Sequence, residues 1–557
     1  MKKTVFLLMF AALAIGLAQD VTSAIGPLPA FTRDPRVLKL RAEQEAVKDN
    51  PAKVKELENR IQEIYLESQP AMPPAWDAVR PVEVDYKMPQ LPGPDVMIDT
   101  GAILATAADY EMDGTMYVAW SRLRDSLVLV VKSTNHGNSW QYVTGFITSP
   151  KWPVPRLGMV VGAGDSAFIY VIALHPSSNG DAVCVRTTRD GSDFTAFWVS
   201  HDTATINNFT FCRDYVNPYY LYCIAGNDDH SNNFDDHVLR STNFGKNWAQ
   251  TNQFRYLSDG SYQAGAGAYL YVAGYYGSSP HRGWLCLLVN TMFGAPDSWR
   301  EAGVEPDTFE VEDPVMAPSF VTPPQNAVVW TTYSHNHQNS GDWDIKFVYS
   351  TDAGNNWSSS YFLSGSSAAL ERFSDIKPYT DPGNPWMNAS YISEQSYRTV
   401  YRHYCQQSNP VGWSDTLRIN THSAGTGQEI RPLLVYSPGS PGTGAGCLFV
   451  GAGLRNLYWN APWTGVGAEE QAELRRDVEF RVLPNPMTGR AALSWAGEAK
   501  RLTLFDASGR VVREYSRPQA GVVWDRRDEK GYRVGSGVYF ARVELANGVR
   551  TRQIVVE

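Results

Sequence analysis

Cysteine is scarce in this sequence and never clustered. Six cysteines stand at 184, 212, 223, 286, 405 and 447 among 557 residues, with no Cys-x-x-Cys pair. That excludes zinc ribbons and thioredoxin-type redox motifs. Positive charge is in deficit, 49 Lys and Arg against 58 Asp and Glu. With no basic stripe, this argues against a nucleic-acid partner. Past one apolar stretch near the start, no run reaches the ~20 residues that a membrane-crossing helix needs. The acidic stretch at 228–237 lacks the Gly and terminal Glu of an EF-hand. His335-x-His337 has no third ligand fixed by spacing. No metal and no cofactor is expected.

What is present is aromatic and periodic: 17 Trp, 29 Tyr and 22 Phe. An eight-residue phrase recurs. It reads Ser-Thr-Asn-His-Gly-Asn-Ser-Trp from Ser133, Ser-Thr-Asn-Phe-Gly-Lys-Asn-Trp from Ser241, and Ser-Thr-Asp-Ala-Gly-Asn-Asn-Trp from Ser350. The copies start 108 and 109 residues apart. A worn copy, Thr187-Thr188-Arg189-Asp190-Gly191-Ser192-Asp193-Phe194, stands midway in the first gap. Weaker echoes fall at 290–299, 407–413 and 457–459. The underlying period is near 54 residues, slightly longer than the roughly 40–50 of common propeller repeats.

The phrase has the chemistry of a hairpin turn. Residues 344–349 alternate polar and apolar as a half-buried strand does, and residues 358–362 can form the returning strand. A short Asp or Asn side chain accepts from nearby backbone NH groups, and Gly admits φ > 0. The closing Trp is a large apolar anchor. Each period holds about four short strand signals, in the first case 102–108, 115–120, 127–133 and 141–147. Four strands per repeat around an axis make a β-propeller.

The phrase resembles the Asp-box (BNR) repeat of sialidase-like propellers, over residues 89–463. The motif residues are Ser133, Asn135, Gly137 and Trp140; Ser241, Asn243, Gly245 and Trp248; and Ser350, Asp352, Gly354 and Trp357. The resemblance implies an all-β fold of seven blades, with six as the alternative. It also implies that the motif sits on the turn between the third and fourth strands, away from the ligand face. It reports fold, and fold does not imply function.

The flanks differ in kind. Met1-Lys2-Lys3 followed by apolar residues 5–18 reads as a secretory signal peptide cut after Ala18, or after Ala24, so export to the surface or the medium is expected. Within residues 19–88, charged helix formers at 36–48 precede Asp49-Asn50-Pro51. Val54, Leu57, Ile61 and Ile64 then follow at helical spacing, which predicts a short helical hairpin before a Pro-rich linker. It either packs on the propeller or binds a partner. After a polar linker, 464–476, residues 477–557 alternate as strands around Asp-x-x-Gly turns, a small Ig-like β-sandwich. The run Leu483-Pro484-Asn485-Pro486, Phe505-Asp506-Ala507-Ser508-Gly509-Arg510, Trp524-Asp525 and Ser536-Gly537-Val538-Tyr539-Phe540 resembles the type A sorting domain of the type IX secretion system, related to FlgD-like Ig modules. That resemblance implies outer-membrane secretion machinery as a partner. The ending Val555-Val556-Glu557 departs from the basic residue with which many members end.

Two readings of a site follow. Six of the ten histidines fall in four long polar loops between second and third strands: His175, His230, His237, His281, His335 and His337. With Tyr276 and Trp343 they form a candidate face for a glycan or protein ligand, because binding groups gather on loops held by a rigid scaffold. The alternative is a sialidase-type glycoside hydrolase, in which Arg156, Arg372 and Arg431 near the starts of innermost strands clamp a carboxylate. Against it, the family's Arg-Ile-Pro motif is absent, and no catalytic Asp or Tyr is placed by a motif. The arginines can equally bond neighbouring blades around the channel. A structural surface protein is the third reading. Cys212 and Cys223, flanking a tight turn at 216–219, are the disulfide candidate if that hairpin is symmetric.

Overall fold

The computed structural model describes residues 30–67, 75, 77–88, 95–111, 113–162, 168–175, 181–200, 206, 208–214, 220–226, 236–254, 261–264, 269–279, 282–293, 295–296, 298–304, 310–319, 326–337, 340–365, 369–378, 386–395, 397–414, 416–436, 445–461, 480–483, 487, 489–495, 499–518, 521–545 and 548–556. It divides into two compact units, Met1–Thr464 and Gly465–Glu557.

The first unit is built from seven antiparallel sheets with a four-stranded core. Their first strands are Ile103–Tyr110, Leu157–Val161, Asn208–Arg213, Ser261–Ala264, Val311–Pro318, Leu370–Pro378 and Leu433–Tyr436. Sheets 1 to 6 each run through four strands in sequence order. Each first strand touches the first strand of the next sheet, and that of sheet 7 returns to that of sheet 1, so the seven close a ring. The hydrophobic effect works at the seams. Every neighbouring pair of sheets shares its own apolar cluster, including the pair that joins sheet 7 to sheet 1. A sheet with a neighbour on each face has no solvent side, which explains why the second strand of sheet 1, Met116–Arg122, is buried at all its positions.

Sheet 7 takes its outermost strand from upstream. Val96–Asp99 pairs with Leu457–Asn460, joining the two ends of the ring. Asp95, 1% exposed, anchors this seam. Its carboxylate accepts from Thr421 and His422 backbone NH groups at 2.9 Å each, from His422 Nδ1 at 2.6 Å and from Asn460 Nδ2 at 2.6 Å. The closing strand escaped the sequence reading, although Val96-Met97-Ile98 is a strand-like run. A further short strand, Val79–Pro81, lies on the outer edge of sheet 1.

The helical hairpin forms from α1, Pro35–Ala46, and α2, Pro51–Glu67. Asp34 caps α1 by accepting from Arg36 N at 2.8 Å, and Asn50 accepts from Lys53 N at 3.2 Å. The pair packs on sheets 3 and 4. Leu57, Ile61 and Tyr65 share a cluster with Ala249, and Val54 joins the seam between the two sheets. Glu58 and Arg240, both 0% exposed, pair at 2.7 Å, and Arg41 also binds Glu58.

The second unit holds a three-stranded sheet (Phe480–Leu483, Ala491–Trp495, Gly521–Trp524) and a four-stranded one (Val511–Ser516, Ala499–Asp506, Gly537–Leu545, Gly548–Val556). Both line one core, around Leu493, Trp524, Leu502, Leu504 and Val543. No described helix is long and apolar enough to cross a membrane.

The proposed Cys212–Cys223 bridge does not form. The register sets Cys212 opposite Tyr222 and Cys223 opposite Phe211. That offset of one residue turns the two thiols to opposite faces of sheet 3, because side chains alternate along a strand. Cys212 enters the seam with sheet 4 and Cys223 the seam with sheet 2. All six cysteines are buried and none is in a disulfide.

Candidate functional site

The three full copies of the phrase fold alike, each on the turn from third to fourth strand, in sheets 1, 3 and 5. In each, the opening serine accepts from the glycine NH and donates to the Asx side chain. Ser133 Oγ accepts from Gly137 N at 2.8 Å, Ser241 from Gly245 at 3.0 Å and Ser350 from Gly354 at 2.8 Å. The Asx oxygen then accepts from the NH four residues on: Ser139 to Asn135 at 2.9 Å, Asn247 to Asn243 at 3.0 Å, Asn356 to Asp352 at 2.8 Å. These bonds hold two consecutive residues at positive φ, as at Ala353 (56°) and Gly354 (81°). In two of the copies the glycine is also sterically required. A Cβ on Gly137 would lie 1.9 Å from Trp459 Nε1, and one on Gly354 2.6 Å from Val289 Cγ2. Trp140 meets Trp459 edge-on at 5.9 Å, and the Trp248 indole donates to Gly245 O at 3.1 Å. The period of about 109 is thus two sheets, and the worn copy in sheet 2 keeps part of the network through Thr188 and Asp190.

Because consecutive strands alternate in direction, the second-to-third loops and the starts of the first strands share the opposite end. There the described histidine side chains, His175, His237 and His335, are buried in strands. His175 closes the second strand of sheet 2, is 7% exposed, bonds Ser149 O through Nε2 at 2.9 Å and meets Trp198 edge-on. His237 lies in the third strand of sheet 3, and His335, 1% exposed, lies in the second strand of sheet 5 with Nε2 3.5 Å from Lys346 Nζ. His337 ends that strand and Tyr276 lies in the second strand of sheet 4. Their side chains, and His230 and His281 altogether, lie outside the described residues. Trp343, in the third strand of sheet 5, carries the Arg372 guanidinium 4.6 Å above its ring.

Arg372 is engaged across the seam between sheets 5 and 6, while the other arginines reach past the adjacent sheet to the one beyond it in the ring. Arg156 Nη1 lies 3.2 Å from Glu429 Oε1, Arg431 Nη2 lies 3.4 Å from Asp313 Oδ1, and Arg372 pairs with Glu312. Arg431 also donates from Nε to Gln428 O at 3.0 Å. A fourth, Arg213, reaches Asp109 at 3.4 Å. Of the acidic stretch at 310–313, Glu310 accepts from Asn336 Nδ2 at 2.6 Å, while Glu312 and Asp313 take the two arginines. Asp313 and Phe373 sit at φ 51° and 58° where the first strands of sheets 5 and 6 break register. Both positions are strained for residues other than glycine.

Arg156 and Arg431 meet at one cavity of about 170 Å³ on the ring axis, beside Thr106, Asp375, Lys377 and Glu429; Arg372 does not line it. Asp375 is buried, and burial pushes its carboxyl above the ordinary value against the opposing pull of Lys377, the Leu434 NH and Arg431. Neither Asp375 nor Lys377 was singled out in the sequence; their alternation in Ser374-Asp375-Ile376-Lys377 was the available signal. Among the described residues no group of three or more His, Cys, Asp or Glu is placed to hold a metal.

No family model matches the sequence, and no curated protein does. Solved structures do. The BP39L lectin from Burkholderia pseudomallei is 11% identical at a TM-score of 0.41, over 65% of this chain and 99% of that one. The NanB sialidase from Streptococcus pneumoniae is 12% identical at 0.34, over 66% and 69%. PorZ, a surface component of the type-IX secretion system of Porphyromonas gingivalis, is 10% identical at 0.25, over 85% and 86%. Likeness at this level says nothing of ligand or reaction.

Proposed function

We propose that residues 89–463 form a seven-bladed Asp-box β-propeller that binds a glycan or protein outside the cell. Residues 1–18 act as its export signal, and residues 477–557 form an Ig-like sorting domain that addresses outer-membrane secretion machinery. Ring closure of seven four-stranded sheets supports the blade number. The observation that carries binding over hydrolysis is the engagement of Arg156, Arg372 and Arg431 with carboxylates from neighbouring elements. A guanidinium already paired must give up that partner before it can clamp a substrate carboxylate, which sets a cost against the transition-state charge it would stabilise. Arginines held this way serve as interblade ties. The ligand face in this reading comprises the loops carrying His175, His230, His237, Tyr276, His281, His335, His337 and Trp343.

The sialidase alternative keeps one supporting observation: Arg156 and Arg431 share a cavity with the raised carboxyl of Asp375. A fluorogenic sialoside panel, run on the purified chain and on Arg431→Ala, separates the readings. No turnover with glycans retained on an array is the expected result. Turnover that disappears in Arg431→Ala overturns it. Neither turnover nor any bound glycan or protein would leave a structural role.

A further inference from the structure

The four-stranded sheet of the C-terminal unit buries one face and exposes a patterned one. Leu502, Leu504, Ala541 and Val543 point into the core at 0% exposure. Alternation therefore turns Arg501, Thr503 and Phe505 outward on one central strand, and Phe540, Arg542 and Glu544 outward on the other. The register sets Phe505 directly opposite Phe540 and Arg501 directly opposite Glu544. The apolar end widens onto the flanking strands, with Val511 opposite Phe505 and Val538 opposite Val555. Val511 is 52% exposed, and Val538 and Phe540 are 36% each. The other end is an ion ladder in which Arg501 lies 3.3 Å from Glu544 and 3.8 Å from Glu514, and Arg542 lies 4.0 Å from Glu544.

We propose that a second copy of this chain covers this face in a two-fold, face-to-face contact. The charge pattern selects that occupant. Two arginines and two glutamates leave the ladder without net sign, so a strongly acidic or basic partner gains nothing there. A two-fold axis along the strands, midway between the two central ones, exchanges those strands. It sets Phe505 on the partner's Phe540 and Arg501 on the partner's Glu544, each twice. The apolar end thus meets apolar and each charge meets its opposite, as an isologous interface requires. Phe540 is the aromatic anchor of such a contact, at its apolar end and beside the two-fold axis.

Light scattering on the full chain tests this. The wild type is expected to run as a dimer, and Phe540→Ser as a monomer of unchanged circular dichroism. Arg501→Glu alone sets glutamate against the partner's Glu544 twice, and Glu544→Arg alone sets arginine against the partner's Arg501 twice. Each alone is therefore monomeric. Mixed in equal amounts the two charge variants are complementary at both contacts, and a heterodimer of twice the chain mass returns. That return cannot come from repair within one chain, since each variant remains mismatched internally. A wild type that stays monomeric at every soluble concentration overturns the proposal. So does a mixture that fails to pair, or a Phe540→Ser chain that remains dimeric.

Discussion

Glu58→Gln removes the counter-charge from an arginine that has no route to water. Arg240 and Glu58 are both 0% exposed, and once the carboxylate is gone Arg240 keeps only neutral acceptors: Gln62 Oε1 at 2.8 Å, Phe293 O at 2.8 Å and the amide oxygen of the introduced glutamine. Breaking a buried pair from one side costs about 3–5 kcal/mol, because the remaining charge stays desolvated. The strain falls where α2 rests on sheet 3, so the helical hairpin opens first. At 1.4 kcal/mol per decade, backbone amides of residues 51–67 should exchange with deuterium about two to three and a half orders of magnitude faster. Replacing both partners, Glu58→Leu with Arg240→Met, removes the two fully buried charges, leaves Arg41 at 14% exposure without that carboxylate, and should return part of the protection. Acid gives an independent sign. Burial alone would raise the Glu58 carboxyl, but Arg240 and Arg41 outweigh it and hold the group below its ordinary value of 4.5. A carboxylate depressed in the folded state contributes stability above that ordinary value and loses it as pH falls through the folded one. The wild-type hairpin should therefore loosen below about pH 4.5, and Glu58→Gln should lack that slope. Exchange in Glu58→Gln within threefold of wild type at neutral pH would refute the reasoning.

Gly137→Ala combines φ 87° with a Cβ 1.9 Å from Trp459. It should cost about 3 kcal/mol or more, whereas Gly453→Ala, at φ 74° with open space, should cost about 1–2; denaturant melts of the two variants give the comparison. Ser350→Ala orphans the Gly354 NH and removes the hydroxyl that donates to Asp352 Oδ1, and should lower stability by about 1–3 kcal/mol in the same assay. Thiol reagents should find none of the six cysteines in the folded chain and all six after denaturation, since burial pushes the Cys184 thiol up to about 12 and the others are buried as well. A Cys212–Cys223 disulfide found on mapping would contradict the strand register of sheet 3, and a thiol reacting at native pH would contradict that cysteine's burial.

The sequence by itself determined the repeat and its turns. Ser350, Asp352 and Gly354 make their bonds within five residues of one another, so their chemistry is readable without knowing what surrounds them. Helix α2 was legible for the same reason: its cap and its apolar spacing are local. What depended on distant partners was not. Val96–Asp99 is an ordinary strand until Leu457–Asn460, some 360 residues later, offers its edge. Cys212 and Cys223 were set on opposite faces by a single-residue register choice that the spacing of the hairpin leaves open. Arg156, Arg372 and Arg431 could be seen as charges near strand starts, yet whether each faces a substrate or another sheet's carboxylate is a matter of how the sheets are arranged around the ring. The tertiary structure alone decided that, because these ion pairs join residues that the chain holds 60 or more positions apart, and only the packing of the sheets around the ring brings them within 4 Å.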